Sequence, residues 1–190
     1  MYTANVNGRI ITIACSEGLF SPSAPDRGTL AMLSKVKIES GSRVLDLGCG
    51  AGLVGIYAAL CAGDENVLLS DIDPAAVEAA KKNAYLNGVS PAFCVSDGFK
   101  AIDAAGFDII LSNPPYQSDF CVAKAFIEKG FNRLKIGGIM YMVTKRRTWY
   151  QNKLKSVFGG CRVYELDGYF VFEAQKRQSR YAKKNVHSIL

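Results

Sequence analysis

The chain has 190 residues, of which 49% are hydrophobic and 21% charged, and its formal net charge is +6. This length and composition predict one globular domain that buries a sizeable core. No apolar run is long enough to cross a membrane, and residues 1–10 lack the charged-then-apolar order of a signal peptide, so we expect a cytoplasmic protein.

Short apolar runs alternate with helical segments from residue 43 onward. The predicted elements are a strand at 43–47, a helix at 53–61, a strand at 66–71, a helix at 74–86, strands at 92–96 and 107–111, a helix from about 120 to 134 and a strand at 138–144. The helix at 74–86 has proline in its first turn and stops at Asn87-Gly88. This alternation predicts an α/β fold, a Rossmann-like doubly wound sheet that is mostly parallel.

The C-terminal part departs from this alternation. After a helix at about 149–158, residues 161–174 form two strand patterns joined at Asp167-Gly168, a strong hairpin signal. The sheet therefore ends in an antiparallel hairpin strand. We divide the single domain into an N-terminal lid and helix segment (1–40), a core (41–175) and a basic tail (176–190).

A glycine loop separates the first core strand from the helix that follows. Gly48, Gly50 and Gly52 lie at the carboxyl edge of the predicted sheet, where open α/β sheets bind ligands. Glycine there permits positive φ and a close approach of the backbone to a ligand. Asp71 ends the next strand, where a carboxylate could hold ribose hydroxyls. The loop alone is compatible with either a nicotinamide cofactor or S-adenosylmethionine.

Asp46 favours the second cofactor on charge. It lies just ahead of the glycines, where a dinucleotide would place its pyrophosphate, and two anions there would repel each other. S-adenosylmethionine instead has a sulfonium and an ammonium group, which an acidic residue attracts. The alternative is that Asp46 only caps the loop.

The strand at 107–111 is followed by Asn113-Pro114-Pro115-Tyr116. Because proline restricts its own φ and the residue before it, this stretch predicts a rigid platform. The Asn113 side-chain oxygen and the Pro114 carbonyl could accept hydrogen bonds from an amine whose lone pair is delocalised, and Tyr116 offers a ring for stacking. The pattern favours transfer to a planar amine without a strong general base.

Cysteine and histidine usage excludes several kinds of chemistry. Six cysteines are scattered with none in a C-x-x-C pair, which favours buried, reduced thiols. The only histidine is His187, so histidine-based metal sites and nucleophilic triads have almost nothing to build on. We predict no metal site, and most hydrolases are excluded.

The chain resembles class I S-adenosylmethionine-dependent methyltransferases over residues 19–173. The resemblance rests on the acid-then-glycine loop Asp46–Gly52, on Asp71 and on Asn113–Tyr116. It is most similar to the small methyltransferase-domain family that includes ribosomal RNA guanine exocyclic-amine methyltransferases.

The chain also resembles that family in the segment ahead of the core, where Phe20-Ser21 is followed by Asp26-x-Gly28-Thr29. The resemblance implies that this segment folds over the cofactor as a lid. The alternative is an ordinary N-terminal helix capped by Asp26.

Roles carry over from the family residue by residue. The resemblance implies S-adenosylmethionine as cofactor, with its methionine part on Asp46 and the loop 48–52, its ribose on Asp71, one adenine face on Ile72 and the adenine amino group on Asp97. The implied cofactor-binding residues are Phe20, Asp46, Gly48, Cys49, Gly50, Gly52, Asp71, Ile72, Ser96, Asp97 and Asn113, and the implied catalytic residues are Asn113, Pro114, Pro115 and Tyr116.

The distribution of cations points to the partner. The segment 145–155 is rich in Lys and Arg around two aromatic residues, and residues 175–184 contain five cations and no acid. This pattern favours a polyanion such as RNA, whereas the alternative is a solvated helix face and a frayed tail.

Together these features predict a methyltransferase acting on a nucleobase amino group, with guanine in ribosomal RNA as the target and RNA or a ribosomal subunit as partner. Adenine in RNA or DNA, protein glutamine, a non-catalytic RNA-binding protein and a nicotinamide oxidoreductase stay open. The ribosomal RNA enzymes often have Phe where this chain has Tyr116, and they often have an additional N-terminal domain.

Overall fold

The computed structural model describes residues 1–14, 24–114 and 120–182. The strands are β1 (Tyr2–Val6), β2 (Arg9–Ile13), β3 (Val44–Leu47), β4 (Val67–Asp71), β5 (Ala92–Val95), β6 (Phe107–Ser112), β7 (Leu134–Thr144), β8 (Arg162–Leu166) and β9 (Tyr169–Gln175). The α-helices are α1 (Arg27–Leu33), α2 (Leu53–Ala62), α3 (Pro74–Leu86), α4 (Phe120–Arg133) and α5 (Arg147–Phe158), and a 3₁₀ turn spans Asp64–Asn66.

Seven strands form one sheet in the order β5-β4-β3-β6-β7-β9-β8. The first five pair in parallel, and β9 is antiparallel to both of its neighbours. One apolar cluster joins the sheet to α1 and α2, and a second joins the opposite face to α4 and α5. The predicted doubly wound sheet with an antiparallel C-terminal hairpin is confirmed.

A separate hairpin of β1 and β2 precedes the core. It turns at Asn7 and Gly8, both with positive φ. The Asn87 side chain donates to the Thr12 carbonyl at 2.7 Å and accepts from its N–H at 2.9 Å, which ties β2 to the end of α3. This hairpin is not among the elements predicted above, although Asn-Gly between alternating apolar residues is a strong hairpin signal.

Strand β7 begins four residues earlier than predicted. Leu134 already pairs with Phe107, and a register shift follows between Phe107 and Ile109. A Cβ on Gly138 would lie 2.8 Å from the Phe107 carbonyl oxygen, so glycine allows the strands to approach across this irregularity. Helix α4 consequently ends at Arg133.

Of the predicted buried thiols, only Cys49 is buried among the described cysteines, and Cys121 is exposed on α4, so the prediction is wrong for Cys121. Within the described ranges, no helix is both long and apolar enough to cross a bilayer.

The start of the basic tail is held against the body of the protein. The Tyr181 ring packs edge-on against Phe131 at 5.1 Å, and the Ala182 N–H donates to the Val157 carbonyl at 3.0 Å. Lys176 is buried, and its Nζ donates to the Leu134 carbonyl at 2.7 Å. The prediction that all five cations of the tail are available to a polyanion is therefore wrong for Lys176.

Candidate active site

A cavity of about 350 Å³ lies at the carboxyl ends of β3, β4, β5 and β6. Asp26, Thr29 and Tyr2 contribute to its wall from outside the core. The sequence-predicted residues that line it are Asp46, Gly48, Cys49, Gly50, Asp71, Ile72, Ser96, Asp97, Asn113 and Pro114. The predictions for Phe20, Pro115 and Tyr116 fall outside the described residues.

The glycine loop turns its backbone toward this cavity. The N–H groups of Gly48 and Cys49 both donate to the Ser70 carbonyl, at 2.8 and 2.9 Å, which ties the loop to β4. Gly48 and Gly50 have φ of 81° and 51°, and a Cβ on either would meet no protein atom within 4 Å. The loop therefore leaves space for a ligand directly beside its backbone.

The next two glycines have a packing role. A Cβ on Gly52 would lie 3.0 Å from the Ala80 Cβ, and one on Gly55 would lie 2.2 Å from the Leu69 Cγ. Gly52 also begins α2 with φ of 92° and does not line the cavity. These glycines allow α2 to pack closely on α3 and β4.

Asp46 lies beneath the loop and is 2% exposed. Its Oδ2 accepts a hydrogen bond from the Gly55 N–H at 2.8 Å, so the residue does cap the first turn of α2. Burial raises the pKa of Asp46 to about 7; the Gly55 hydrogen bond lowers it and the nearby Asp71 charge raises it further. A cation in the cavity would favour the ionised form.

Asp71 connects the glycine loop to the start of α3. Its Oδ2 accepts from the Gly50 N–H at 2.9 Å, and its Oδ1 accepts from the Asp73 N–H at 3.0 Å. Each oxygen keeps a further lone pair, so the carboxylate can also accept from hydroxyl groups. The adjacent Ile72 is 64% exposed and offers an apolar surface to the cavity.

The turn after β5 presents Asp97 at the cavity. The Ser96 hydroxyl donates to the Gly98 carbonyl at 2.9 Å and accepts from the Ala101 N–H at 3.0 Å, so Ser96 holds this turn. Asp97 pairs with Lys100 at 2.6 Å on the surface. Because exposed ion pairs contribute little stability, a ligand amino group could replace Lys100 at small cost.

Asn113 has its two polar atoms in different environments. Its Nδ2 donates to Asp26 Oδ2 at 2.9 Å and to Thr29 Oγ1 at 3.0 Å. Its Oδ1 is buried, and no residue that the structure describes donates to it. An unsatisfied buried acceptor costs about 1–3 kcal/mol, which indicates that this oxygen is reserved for a ligand.

In the sequence, Asp26 and Thr29 stand out only as part of a segment similar to the family. Their side-chain contact with Asn113 spans 87 and 84 residues of chain. The capping alternative for Asp26 is confirmed, because its Oδ2 also accepts from the Thr29 N–H at 2.7 Å and caps α1. Whether the preceding segment covers a cofactor stays a prediction.

A row of cations follows β7, next to the end of β6. Each cation lies over an aromatic ring: Lys145 over Tyr169 at 5.0 Å, Arg146 over Phe120 at 5.0 Å and Arg147 over Phe170 at 5.7 Å. The Phe120 ring stacks on Trp149 at 4.4 Å. We call residues 145–147 with these rings the cation–aromatic face. Lys153 is half-buried and pairs with Glu128, which removes it from the predicted polyanion surface.

Among the described residues, no cluster of three or more His, Cys, Asp or Glu side chains is placed to hold a metal ion. The sheet order, with the open glycine loop and its neighbouring acidic residues at the carboxyl ends of the parallel strands, defines a class I methyltransferase fold.

A model of the methyltransferase small domain family matches residues 10–173, and the chain belongs to this family. Ribosomal RNA large subunit methyltransferase G of Streptomyces avermitilis is 34% identical over 160 residues, which cover 81% of this chain and 42% of that protein. Ribosomal RNA small subunit methyltransferase C of Serratia proteamaculans is 31% identical over 173 residues, which cover 88% and 50%.

The fold is also similar to a solved structure, the T. thermophilus 16S rRNA N2 G1207 methyltransferase in complex with AdoMet and guanosine. The TM-score is 0.86 at 28% identity, and the match covers 93% of this chain and 50% of that one. The chain thus spans about half the length of these relatives.

Proposed function

We propose that the chain is an S-adenosylmethionine-dependent N-methyltransferase that acts on the exocyclic amino group of guanine in ribosomal RNA. The observation that carries this proposal is the buried Oδ1 of Asn113, to which no described residue donates, in the wall of a cavity that the open glycine loop also lines. The relatives, which are named as ribosomal RNA methyltransferases, support the choice of substrate.

The cavity fits the cofactor. Asp46 would attract its cationic methionine part, the loop at Gly48 and Gly50 has room for it, Asp71 would accept from the ribose and Asp97 from the adenine amino group. When bound, S-adenosylmethionine supplies an electrophilic methyl group on a sulfonium. A nicotinamide dinucleotide fits less well, because its pyrophosphate would face the carboxylates of Asp46 and Asp71.

The platform after β6 would hold the target amine. Asn113 Oδ1 accepts one N–H and the Pro114 carbonyl accepts the other, which directs the nitrogen lone pair and favours tetrahedral character as positive charge develops. Tyr116 would stack on the planar base. A strong general base is not required, because the methylated nitrogen is cationic and acidic.

The cation–aromatic face would bind the RNA around the target base. It follows β7, whose Met142 pairs with Ser112 just ahead of Asn113, so the cations lie at the same sheet edge as the acceptor platform. Rings beneath the cations limit their movement, and Arg and Lys there can take phosphates while Trp149 offers a stacking surface. A ribosomal RNA substrate would put the site of action in the cytoplasm.

The test is transfer of a labelled methyl group into RNA and protein from cells that lack the gene. Nucleoside mass spectrometry should find methylguanosine in ribosomal RNA. Asn113→Ala should abolish transfer while cofactor binding persists, and Asn152→Ala, an exposed site on α5, should leave both unchanged. Undiminished transfer by Asn113→Ala would contradict the mechanism.

The same experiment separates the other candidates. Methyladenosine would support the same mechanism with adenine as the target base. Label on protein glutamine would mean that the substrate is a protein and that the basic segments do not indicate RNA. Cofactor binding without label anywhere would favour a non-catalytic RNA-binding protein.

A further inference from the structure

We propose that Asp26 and Thr29 are positioning residues, which hold the Asn113 amide so that its oxygen, and not its nitrogen, is presented to the substrate amine. The inference rests on the proposed function for the identity of that substrate. The orientation of the amide is inferred from geometry alone, because Asn113 Nδ2 donates to both the Asp26 and the Thr29 side chains.

The orientation follows from the hydrogen-bonding capacity of the partners. A carboxylate can only accept, so the Asn113 atom beside Asp26 must be the Nδ2 donor. The second Nδ2 proton is taken by Thr29 Oγ1 at 3.0 Å. Rotating the amide by half a turn would place Oδ1 against the Asp26 carboxylate, an arrangement of acceptors without donors. With Nδ2 occupied, Oδ1 is the only side-chain atom left for a ligand.

One oxygen atom of Asp26 accepts two hydrogen bonds. Its Oδ2 accepts from the Thr29 N–H at 2.7 Å, which caps α1, and from Asn113 Nδ2 at 2.9 Å. Helix α1 is itself fixed, because its Thr29, Met32 and Leu33 are buried and it packs on β7 and β9. The amide is therefore anchored to the folded core through a helix terminus.

The contact also strengthens Oδ1 as an acceptor. Donation from Nδ2 to a carboxylate draws electron density toward the amide oxygen, so an amine that donates to Oδ1 would extend a chain of hydrogen bonds whose members polarise one another. Without the two partners, the amide could turn its NH₂ group toward the substrate, where a donor would face the N–H bonds of the amine.

Two matched pairs of variants test the inference. Thr29→Val removes the acceptor oxygen with little change of shape, and we expect kcat to fall about five- to tenfold, as for one lost hydrogen bond, with cofactor Kd unchanged. Thr29→Ser keeps the hydroxyl, so kcat should fall less.

The second pair changes Asp26. Asp26→Ser keeps a helix cap, but its side chain is too short to reach Asn113. Asp26→Asn keeps one side-chain oxygen, which can still accept from the Thr29 N–H and from Asn113 Nδ2.

A second measurement does not depend on activity. In protein labelled with ¹⁵N, the Asn113 side-chain amide protons should exchange slowly with water in the absence of cofactor and substrate. Exchange should accelerate in Thr29→Val and Asp26→Ser and stay slow in Thr29→Ser and Asp26→Asn. Equal exchange in all five proteins, or a Thr29→Val kcat equal to the wild type, would overturn the inference.

These readouts separate the inference from the proposed function. Absence of methyl transfer by the wild type would contradict the proposed function, while slow Asn113 exchange that depends on Thr29 would still support the positioning contact. A loss of kcat that tracks only the melting temperature of the variants, without the exchange pattern, would reduce Asp26 and Thr29 to a structural role and overturn the inference.

Discussion

Asp46 keeps a carboxyl group in the core below the cofactor site, and its pKa of about 7 makes stability depend on pH in an unusual direction. In the unfolded chain this carboxyl group has its ordinary pKa of 3.8, whereas in the folded protein its pKa is about 7. Between these values the folded state binds more protons, so the free energy of unfolding falls as pH rises. Above about 7 the full cost of the buried charge is present.

We therefore predict that Asp46→Asn stabilises the cofactor-free protein progressively as pH rises. The difference in unfolding free energy between variant and wild type should grow by about 3 kcal/mol from about pH 5 to about pH 8, since each pKa unit corresponds to about 1.4 kcal/mol. Urea denaturation of both proteins at the two pH values measures it, because all other groups titrate alike. A difference that does not vary with pH would show that Asp46 ionises normally.

Cofactor binding should release a proton from the same residue. A bound cation favours the Asp46 carboxylate and lowers its pKa, so the affinity for S-adenosylmethionine should rise with pH up to about 7. Calorimetry near pH 6.5 in buffers of different ionisation enthalpy counts the protons, about one per site at most. Asp46→Asn should bind S-adenosylmethionine more weakly and release fewer protons on binding. Equal proton release by the two proteins would contradict the assignment.

The sequence predicts part of this site and misses another part for a physical reason. Asp46 and Asp71 lie at the carboxyl ends of β3 and β4, and Gly48 and Gly50 follow β3, so the topology alone brings them to one edge of the sheet. The contact of Asn113 with Asp26 joins segments 87 residues apart, and it depends on how α1 packs. Nothing in local patterning determines such a contact.

Among the elements, α2 owes its position to Gly52, and this gives a test with a matched partner. Gly52→Ala would place a Cβ 3.0 Å from the Ala80 Cβ and 3.1 Å from its Cα at φ of 92°, so we expect a loss of about 2–3 kcal/mol of unfolding free energy. Gly50→Ala, at φ of 51° with open space around it, should cost only about 1 kcal/mol.

The order of the two glycine variants should be reversed for ligand binding: the variant that loses less stability should lose more cofactor affinity. A methyl group at Gly50 enters the space beside the loop backbone and should weaken cofactor affinity, whereas folded Gly52→Ala protein should bind with smaller loss. Thermal denaturation and titration calorimetry measure the two effects. Greater destabilisation by Gly50→Ala than by Gly52→Ala would contradict the packing role assigned to Gly52.

The ends of an element were predictable from the sequence where capping residues mark them. They were not predictable where pairing with a distant strand sets them. Helix α3 begins after Asp73, which caps it, and ends at Leu86, as predicted from Pro74 and from the stop signal Asn87-Gly88. The early start of β7 depends on Leu134 pairing with Phe107, a long-range contact. The β1–β2 hairpin differs from β7, because Asn7-Gly8 is a local signal from which it is predictable.

At the scale of the whole molecule, the net charge of +6 is effective only where cations face the substrate. We predict that Arg146→Gln weakens binding of a ribosomal RNA fragment and reduces the slope of log K against log salt by about 0.7–0.9, as for one lost phosphate contact. Lys82→Gln, an exposed change of equal charge on α3, is the control and should leave the slope nearly unchanged. Equal slopes for the two variants would mean that net charge alone drives binding.

The insertion of β9 between β7 and β8 affects how the protein is made. β7 is complete at Thr144, but its outer edge stays unpaired until Tyr169–Gln175 has been synthesised and has passed over α5 and β8. At ribosomal speeds this takes on the order of seconds. During that interval the buried apolar stretch Met140–Val143 has open backbone hydrogen-bonding groups, a template for aggregation between nascent chains. The strand that completes the fold therefore also limits how long the newly made chain needs protection.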